Sequence, residues 1–249
     1  MEQKKSNIYV NSQWFPARQN EYVCWLDIMG IATILVNSID QAANFILKFQ
    51  SQVERVRKQI SLDAVRVYPT MDGVYITAED QTQLRAILKP IYSGLCKEFV
   101  NEPDVLHQSI VRGAIAFGPV IHGEDIDDTA CPALSQETKQ KILLGMPVSH
   151  AYMSERLAPP FGIYIHESAR AFGPIVDGQM VVLSGPYYYW YGAQDVQVLR
   201  VKLDQYFEYY FLHPHYPQID ATKIKQYQLL ISEYFTPKEK GAVRNVETK

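Results

Sequence analysis

Residues 21–30 read EYVCWLDIMG, and this stretch decides the fold. Its apolar run is typical of a buried strand, and the run ends in a single carboxylate, Asp27. A bend containing Gly30 follows, and then a second apolar run at 31–36. A carboxylate at the end of a buried strand is costly unless a cation lies against it. Asp27 therefore either caps the turn or helix that follows, or it is a metal ligand beside a phosphate-binding bend.

A second carboxylate, Asp72, lies at the tip of a predicted hairpin. Two β-rich runs, Val65 to Tyr68 and Val74 to Ala78, flank residues 70–73, which read TMDG. Asp-Gly between two such runs is a strong hairpin signal, so a turn role alone would explain Asp72. Magnesium sites for phosphate chemistry use one or two carboxylates together with substrate oxygens. Asp72 is thus the candidate second ligand if Asp27 binds a metal.

The order of these features resembles the catalytic domain of class III nucleotidyl cyclases. In that family the first strand ends in an Asp followed by a Gly-containing bend, and a second Asp lies at a hairpin tip. The matching blocks are Asp27 to Gly30 (DIMG), Asp72-Gly73, 111–123 (VRGAIAFGPVIHG), and 147–157 leading to 162–169 (GIYIHESA). Their order and gaps, more than any single block, carry the resemblance.

The resemblance implies a fold and an assembly. The fold is α/β (α+β), with a mostly antiparallel sheet flanked by helices and a ferredoxin-like core. The assembly is a head-to-tail homodimer with shared active sites, in which one subunit supplies the metal ligands and the other reads the base. The expected organisation is a lead-in at 1–20, a catalytic core at 21–176, a C-terminal extension packed on the core at 177–236, and a polar tail at 237–249.

The resemblance also implies a reaction. The 3′-hydroxyl of a nucleoside triphosphate attacks its own α-phosphorus, and pyrophosphate leaves. Two divalent ions, Mn²⁺ or Mg²⁺, stabilise both ends of such a displacement. We expect Asp27 and Asp72 to hold them, with the carbonyl of Ile28 as a further ligand. We expect the backbone N–H groups of Ile28, Met29 and Gly30 to bind the β- and γ-phosphates.

Four positions depart from the family pattern. ATP-using members usually carry Lys where this chain has Tyr68, and Asp where it has Ile142. Ser149 replaces an Asn, and Met153 replaces an Arg that steadies the developing charge. The base-reading and transition-state positions have therefore changed while the metal pair is kept.

This combination resembles the pyrimidine cyclases of bacterial Pycsar anti-phage systems. The resemblance implies conversion of UTP to cyclic UMP, or of CTP to cyclic CMP, with UTP preferred. It also implies a second messenger that activates a separate effector during infection. Tyr68 is expected to fill space that a purine ring occupies in the relatives, and Ser149 and His150 are expected near the nucleotide. A packed histidine is the alternative for His150.

Two arginines are candidates to replace the missing one. Arg112 belongs to the third matching block, and Arg156 lies about one helical turn past Met153. A surface ion pair is the alternative for each.

Three other functions remain open at this point. The first is a purine cyclase with an altered pocket, which ATP or GTP turnover would reveal. The second is a palm enzyme related to diguanylate cyclases, which is disfavoured because the hairpin carries one Asp and not two adjacent acids. The third is a catalytically silent sensor that binds a triphosphate without releasing pyrophosphate.

Composition sets weaker limits. Of the 249 residues, 47% are hydrophobic and 20% charged, and the net charge of −3 does not favour nucleic acid or an anionic membrane as partner. There is no apolar stretch near the roughly 18 residues of a membrane span, and MEQKKSN lacks a signal-peptide core. Three cysteines without metal spacing indicate free thiols. We therefore expect a cytoplasmic protein.

The remaining pattern predicts further helices and strands. Ser38 begins a capping box for an amphipathic helix of about six turns. A second helix starts near Asp80, with Pro90 expected to kink or divide it. We also predict a helix at Ser135 to Leu144, a strand at Val196 to Val201, and a helix at Asp220 to Phe235.

Overall fold

The apolar run at 21–30 forms the central strand of a mixed sheet in the computed structural model, which describes residues 15–60, 64–172, 175–176, 179–180, 186–213 and 220–235. The strands are β1 (Gln19–Ile28), β2 (Val65–Pro69), β3 (Gly73–Ala78), β4 (Val111–His122), β5 (Leu143–Gly145), β6 (Ile163–Ile165), β7 (Ile175–Val176), β8 (Gln179–Met180) and β9 (Tyr187–Tyr188). The sheet order is β2-β3-β1-β4-β6-β9, with β5 also on β4, and β7 and β8 pair separately. Only β4 and β6 pair in parallel among the described strands.

Seven helices accompany these strands in the described part of the chain. They are α1 (Ile31–Asn37), α2 (Ile39–Gln59), α3 (Gln81–Asn101), α4 (Gln136–Lys139), α5 (Met146–Ser154), α6 (Ala193–Leu212) and α7 (Ala221–Phe235). The order β1-α2-β2-β3-α3-β4, with β1 between β3 and β4, is the ferredoxin-like arrangement. The predicted α+β fold with a mainly antiparallel sheet is confirmed.

The two faces of the sheet differ because side chains alternate along each strand. The even positions of β1, including Cys24 and Leu26, belong to one large apolar core with residues of α2, α3, α6 and α7. The odd positions Val23 and Trp25 belong to a small cluster with Ala151 of α5. Asp27 shares this second side, which we call the α5 face.

Helix capping follows the sequence prediction. The hydroxyl of Ser38 accepts a hydrogen bond from the Gln41 N–H at 3.2 Å and caps α2. The carboxylate of Asp80 accepts from the N–H groups of Thr82 and Gln83 at 2.7 and 3.0 Å and caps α3. Each cap satisfies amides that the first helical turn leaves without partners.

Two predicted elements are wrong in type or extent, and one of the two effects expected of Pro90 does not occur. The chain from Val196 to Val201 is not a strand but the first half of α6. The predicted helix from Ser135 to Leu144 shortens to α4, because Leu143 and Leu144 instead pair with the long end of β4. Pro90 does not divide α3, which continues through it to Asn101.

The C-terminal part continues the same structure. Strand β9 extends the main sheet at β6, and buried residues of α6 and α7 join the large core. Residues 1–14, 181–185 and 236–249, which include most of the predicted lead-in and the predicted tail, lie outside the described residues. No described helix has the length and apolar character needed to cross a membrane.

Cysteines Cys24 and Cys96 are buried and Cys131 is half-buried, and all three are free thiols. This agrees with the sequence prediction. Burial in the core raises the pKa of the Cys24 thiol.

Candidate active site

Asp27 and Asp72 come together because β1 pairs with β3. The register places Asp27 opposite Gly73, and the N–H of Ile28 donates to the carbonyl of Asp72 at 3.2 Å. The hairpin tip is closed by the N–H and the hydroxyl of Thr70, which both donate to the Gly73 carbonyl at 2.9 Å. The strand end and the hairpin tip, which lie far apart in sequence, thus form one acidic site.

The site holds more negative than positive charge. Asp27 is half-buried, and its pKa rises from 3.8 to about 7. Burial is the largest cause, and the carboxylates of Glu155 and Asp72 raise the pKa further. The guanidinium of Arg112 and a backbone hydrogen bond at Ile28 oppose this rise only partly. Such a carboxylate is poised to accept a cation.

Glu155 is the site residue that the sequence reasoning missed. It lies in the short 3₁₀ turn that follows α5, and it is buried. Arg112 is opposite Asp27 in the β1–β4 register, and its guanidinium binds both carboxylate oxygens of Glu155, Nη2 to Oε2 at 3.3 Å and Nε to Oε1. The sequence predicted either a role near the substrate or a surface ion pair for Arg112. In the structure it pairs with a buried carboxylate on the α5 face.

Glu155 had a weak sequence signal. The pattern places it on the turn after α5, between two positions already considered, Met153 and Arg156. Nothing local says that it pairs with an arginine 43 positions earlier. Arg156 itself is exposed, and it forms no ion pair with any described residue.

The bend after Asp27 supplies fewer free amides than the sequence predicts. Gly30 adopts a left-handed backbone with φ of 77°, which favours glycine. The N–H of Ile28 is bonded to Asp72, and the N–H of Met29 donates to the carbonyl of Ile110 at 2.8 Å. In this structure these two amides are therefore already paired with carbonyl oxygens, and their expected role in binding phosphate stays a prediction. Of the three, only the Gly30 N–H has no hydrogen-bond acceptor among the described residues.

Tyr68 lies inside a buried polar chain. Its hydroxyl forms a hydrogen bond with Nδ1 of His122 at 2.5 Å, and Nε2 of His122 forms one with Glu21 at 2.8 Å. With the imidazole proton on Nε2, the Tyr68 hydroxyl donates to Nδ1 and the Glu21 carboxylate accepts from Nε2. Burial raises the pKa of the Tyr68 hydroxyl above its usual value. The tyrosine side chain is fixed in place and stays protonated.

Ser149 and His150 lie on α5. Ser149 is exposed, whereas His150 stacks on His166 with ring centroids 4.4 Å apart. The Nδ1 atom of His150 is buried and has no hydrogen-bond partner among the described residues. Burial, and then the neighbouring His150, lower the pKa of His166. The structure does not bring these two α5 residues into hydrogen-bond contact with Asp27 or Asp72 within this chain.

The residues at Asp27 fit a divalent cation in charge and chemistry. No group of three or more His, Cys, Asp or Glu side chains is arranged as a metal cluster in the part of the chain that the structure describes. Two carboxylates are nevertheless what phosphate chemistry needs, since the substrate supplies further oxygens. Burial, and then the charges of Glu155 and Asp72, raise the pKa of Asp27, and a bound cation would offset those charges.

No protein-family model matches this chain, and neither does any curated protein. Solved structures do match. The monomeric guanylyl cyclase domain of the RhoGC fusion protein from Blastocladiella emersonii is 16% identical, over 62% of this chain and 85% of that one, with a TM-score of 0.46. The adenylate/guanylate cyclase/hydrolase from Silicibacter pomeroyi is 14% identical, over 68% and 94%, with a TM-score of 0.47.

A third match is a class III adenylyl cyclase-like ATP-binding protein from Pseudomonas aeruginosa. It is 15% identical, over 89% of this chain and 44% of that one, with a TM-score of 0.46. At such identities and scores, the likeness concerns the general fold and says nothing about the substrate.

Proposed function

We propose that this chain is a nucleotide cyclase that converts UTP to 3′,5′-cyclic UMP and pyrophosphate. One observation carries the proposal: β1 and the β2–β3 hairpin bring Asp27 and Asp72 into one half-buried site where negative charge exceeds the positive charge of Arg112. In the reaction the 3′-oxygen bonds to the α-phosphorus, the bond to pyrophosphate breaks, and the hydroxyl proton is released.

Asp27 and Asp72 would hold two divalent ions, Mn²⁺ or Mg²⁺, with the Ile28 carbonyl as a further oxygen ligand. When bound, such ions neutralise charge on the phosphates and on the attacking oxygen. Arg112 lies opposite Asp27 in register, which supports its candidate role near the developing charge. Its bond to Glu155 fixes the guanidinium, so that Glu155 is a positioning residue.

Tyr68 supports the choice of a pyrimidine. Its ring is 7% exposed and its hydroxyl is bonded to His122, so the ring is held rigidly. A residue that limits the volume of a base pocket has to be rigid, because a mobile ring would make room for a purine. UTP is proposed ahead of CTP on resemblance alone, and CTP is one outcome of the test below.

The α5 face supports a homodimer with shared sites. Five large apolar side chains on or beside α5 are exposed, and they are Leu144, Met146, Tyr152, Met153 and Leu157. A second copy packed on this face would cover them. It would also bring Ser149, His150 and Arg156 of one subunit to the Asp27 site of its partner, and these residues would read the base there.

The proposed role of the product is that of a second messenger in anti-phage defence. Cyclic UMP would activate a separate cyclic-nucleotide-dependent effector in the infected cell. This part of the proposal depends on the resemblance of the sequence to pyrimidine cyclases.

The test is to incubate the purified protein with each of the four ribonucleoside triphosphates separately, with Mn²⁺ or Mg²⁺, and to resolve the products by mass. We expect cyclic UMP and pyrophosphate from UTP. Asp27→Asn and Asp72→Asn should each lower the rate by at least about 100-fold, since each removes a ligand of the charged transition state.

The other outcomes are informative. Cyclic CMP as the only product would identify CTP, and not UTP, as the substrate. A product from ATP or GTP would mean that Tyr68 does not exclude purines. Triphosphate binding without any product would favour the silent sensor. Full activity of either aspartate variant at limiting metal would contradict the two-metal assignment.

A further inference from the structure

A small cavity joins the bend after Asp27 to the two C-terminal helices. It has a volume of about 130 Å³. One side is made by Met29, Gly30 and Thr33, and the other by residues of α6 and α7, namely Tyr206, Phe207, Lys223 and Tyr227. The cavity therefore connects the predicted phosphate-binding bend to a part of the chain that has no assigned role.

The proposed substrate needs more positive charge than the bend provides. Two of the three amides at 28–30 are already bonded to carbonyls. The Arg112 charge is shared with the buried carboxylate of Glu155. A triphosphate brings about four negative charges, and divalent ions on Asp27 and Asp72 are themselves partly neutralised by those carboxylates.

Lys223 is the one cation among the described residues that line the cavity. It forms no ion pair with any described residue, so its ammonium is available. Four methylene groups give it a flexible reach. Lys223 is exposed at the cavity, beside the rings of Tyr206, Phe207 and Tyr227, so a bound anion can reach it from solvent.

We propose that Lys223 binds the terminal phosphates of the triphosphate that lies on the 28–30 bend. The C-terminal helices then complete the nucleotide site and are part of the catalytic unit. This inference deepens the proposed function and rests on it. Lys223 stabilises the charge on the departing pyrophosphate, which remains bound at the cavity until it is released.

The experiment measures binding of tripolyphosphate with Mg²⁺ by calorimetry, because this probe carries no base and needs no turnover. Lys223→Gln is compared with Lys225→Gln, which removes the same charge two residues further along α7 at an equally exposed position that does not line the cavity. We expect Lys223→Gln to weaken binding about tenfold, which is usual for one charge-assisted hydrogen bond, and Lys225→Gln to leave it within about twofold. Lys223→Arg should retain most of the affinity.

The same variants are then assayed for turnover of UTP. The inference predicts that Lys223→Gln raises KM about tenfold, while Lys225→Gln does not. Equal effects of the two glutamine variants, or no binding of tripolyphosphate to the parent protein, would overturn it. Binding that depends on Lys223 in a protein that cyclises no triphosphate would contradict the proposed function and leave the phosphate site standing.

Discussion

At the scale of single residues, Asp27 links the site to stability. Its pKa is about 7 in the folded chain and near 3.8 when unfolded. Between these pH values the folded state binds more protons at this group than the unfolded state does. The free energy of unfolding contributed by Asp27 is therefore highest below pH 4 and is lost as the pH rises through 7.

This linkage predicts the behaviour of a variant. Without divalent metal, Asp27→Asn should be more stable than the parent at pH 8, by on the order of 1–2 kcal/mol after screening by solvent. The difference should vanish near pH 3, where the parent carboxyl is mostly protonated in both states. Urea unfolding in EDTA at the two pH values measures it. A difference of the same size at both pH values would show that charge at Asp27 is not its cause.

Residue identities near the site were predicted unevenly from the sequence. Asp27 and Asp72 carry local signals, a strand end and an Asp-Gly turn, and the strand pairing brings them together. Glu155 has only a weak local signal, because its importance comes from a contact with Arg112 across the fold. The sequence does not show that the backbone N–H groups of Ile28 and Met29 have partners. In the structure they donate hydrogen bonds to the carbonyls of Asp72 and Ile110.

At the scale of elements, the β2–β3 hairpin positions Asp72. Gly73 has no room for a side chain, because an added Cβ would lie 2.2 Å from the Trp25 ring and 2.7 Å from the Leu26 carbonyl oxygen. Gly73→Ala must therefore shift the hairpin tip, and we expect a loss of about 1–3 kcal/mol in the free energy of unfolding. Turnover per folded molecule should fall as well, since Asp72 is adjacent.

A stability-matched control separates the two effects. Ile76→Val truncates a buried side chain in the same strand and should cost about 0.5–1.5 kcal/mol without moving the tip. Urea unfolding and turnover below the transition are compared for both variants. If both lose turnover equally, general destabilisation and not the position of Asp72 explains the loss.

Helices and strands with a clear hydrophobic periodicity were predicted correctly. Segments whose pattern fits both a helix and a strand were not. The capped helix α2 and the hairpin follow from local signals. The run Val196 to Val201 is rich in valine and favours a strand by propensity. The buried residues Val196, Leu199 and Leu203 nevertheless recur at helical spacing, and packing on the core decides for α6. Pro90 lies between Leu88 and Ile91, which are both buried, so that tertiary packing keeps α3 continuous.

At the scale of the whole molecule, the two faces of the sheet differ in how completely they are buried. One face is covered by the long helices and forms the core. The α5 face carries Asp27 and ends in exposed apolar side chains such as Tyr152 and Met153. A fold that buries one face so completely and leaves the other partly open is built to receive a further layer. The proposed homodimer supplies that layer with a second α5 face.

Shared sites make a prediction that a site within one chain does not make. Asp27→Asn removes a metal ligand. Ser149→Trp places a bulky ring at an exposed position on α5, where the base of the nucleotide held at the partner's metal site would lie. Each variant alone should be inactive as a homodimer. Coexpressed in equal amounts, half of the dimers are mixed, and each mixed dimer has one site free of both changes. The mixture should therefore recover about a quarter of the parent rate. If the mixture is as inactive as its components, the complete active site lies within one chain. If the Ser149→Trp homodimer is active, α5 does not contact the base.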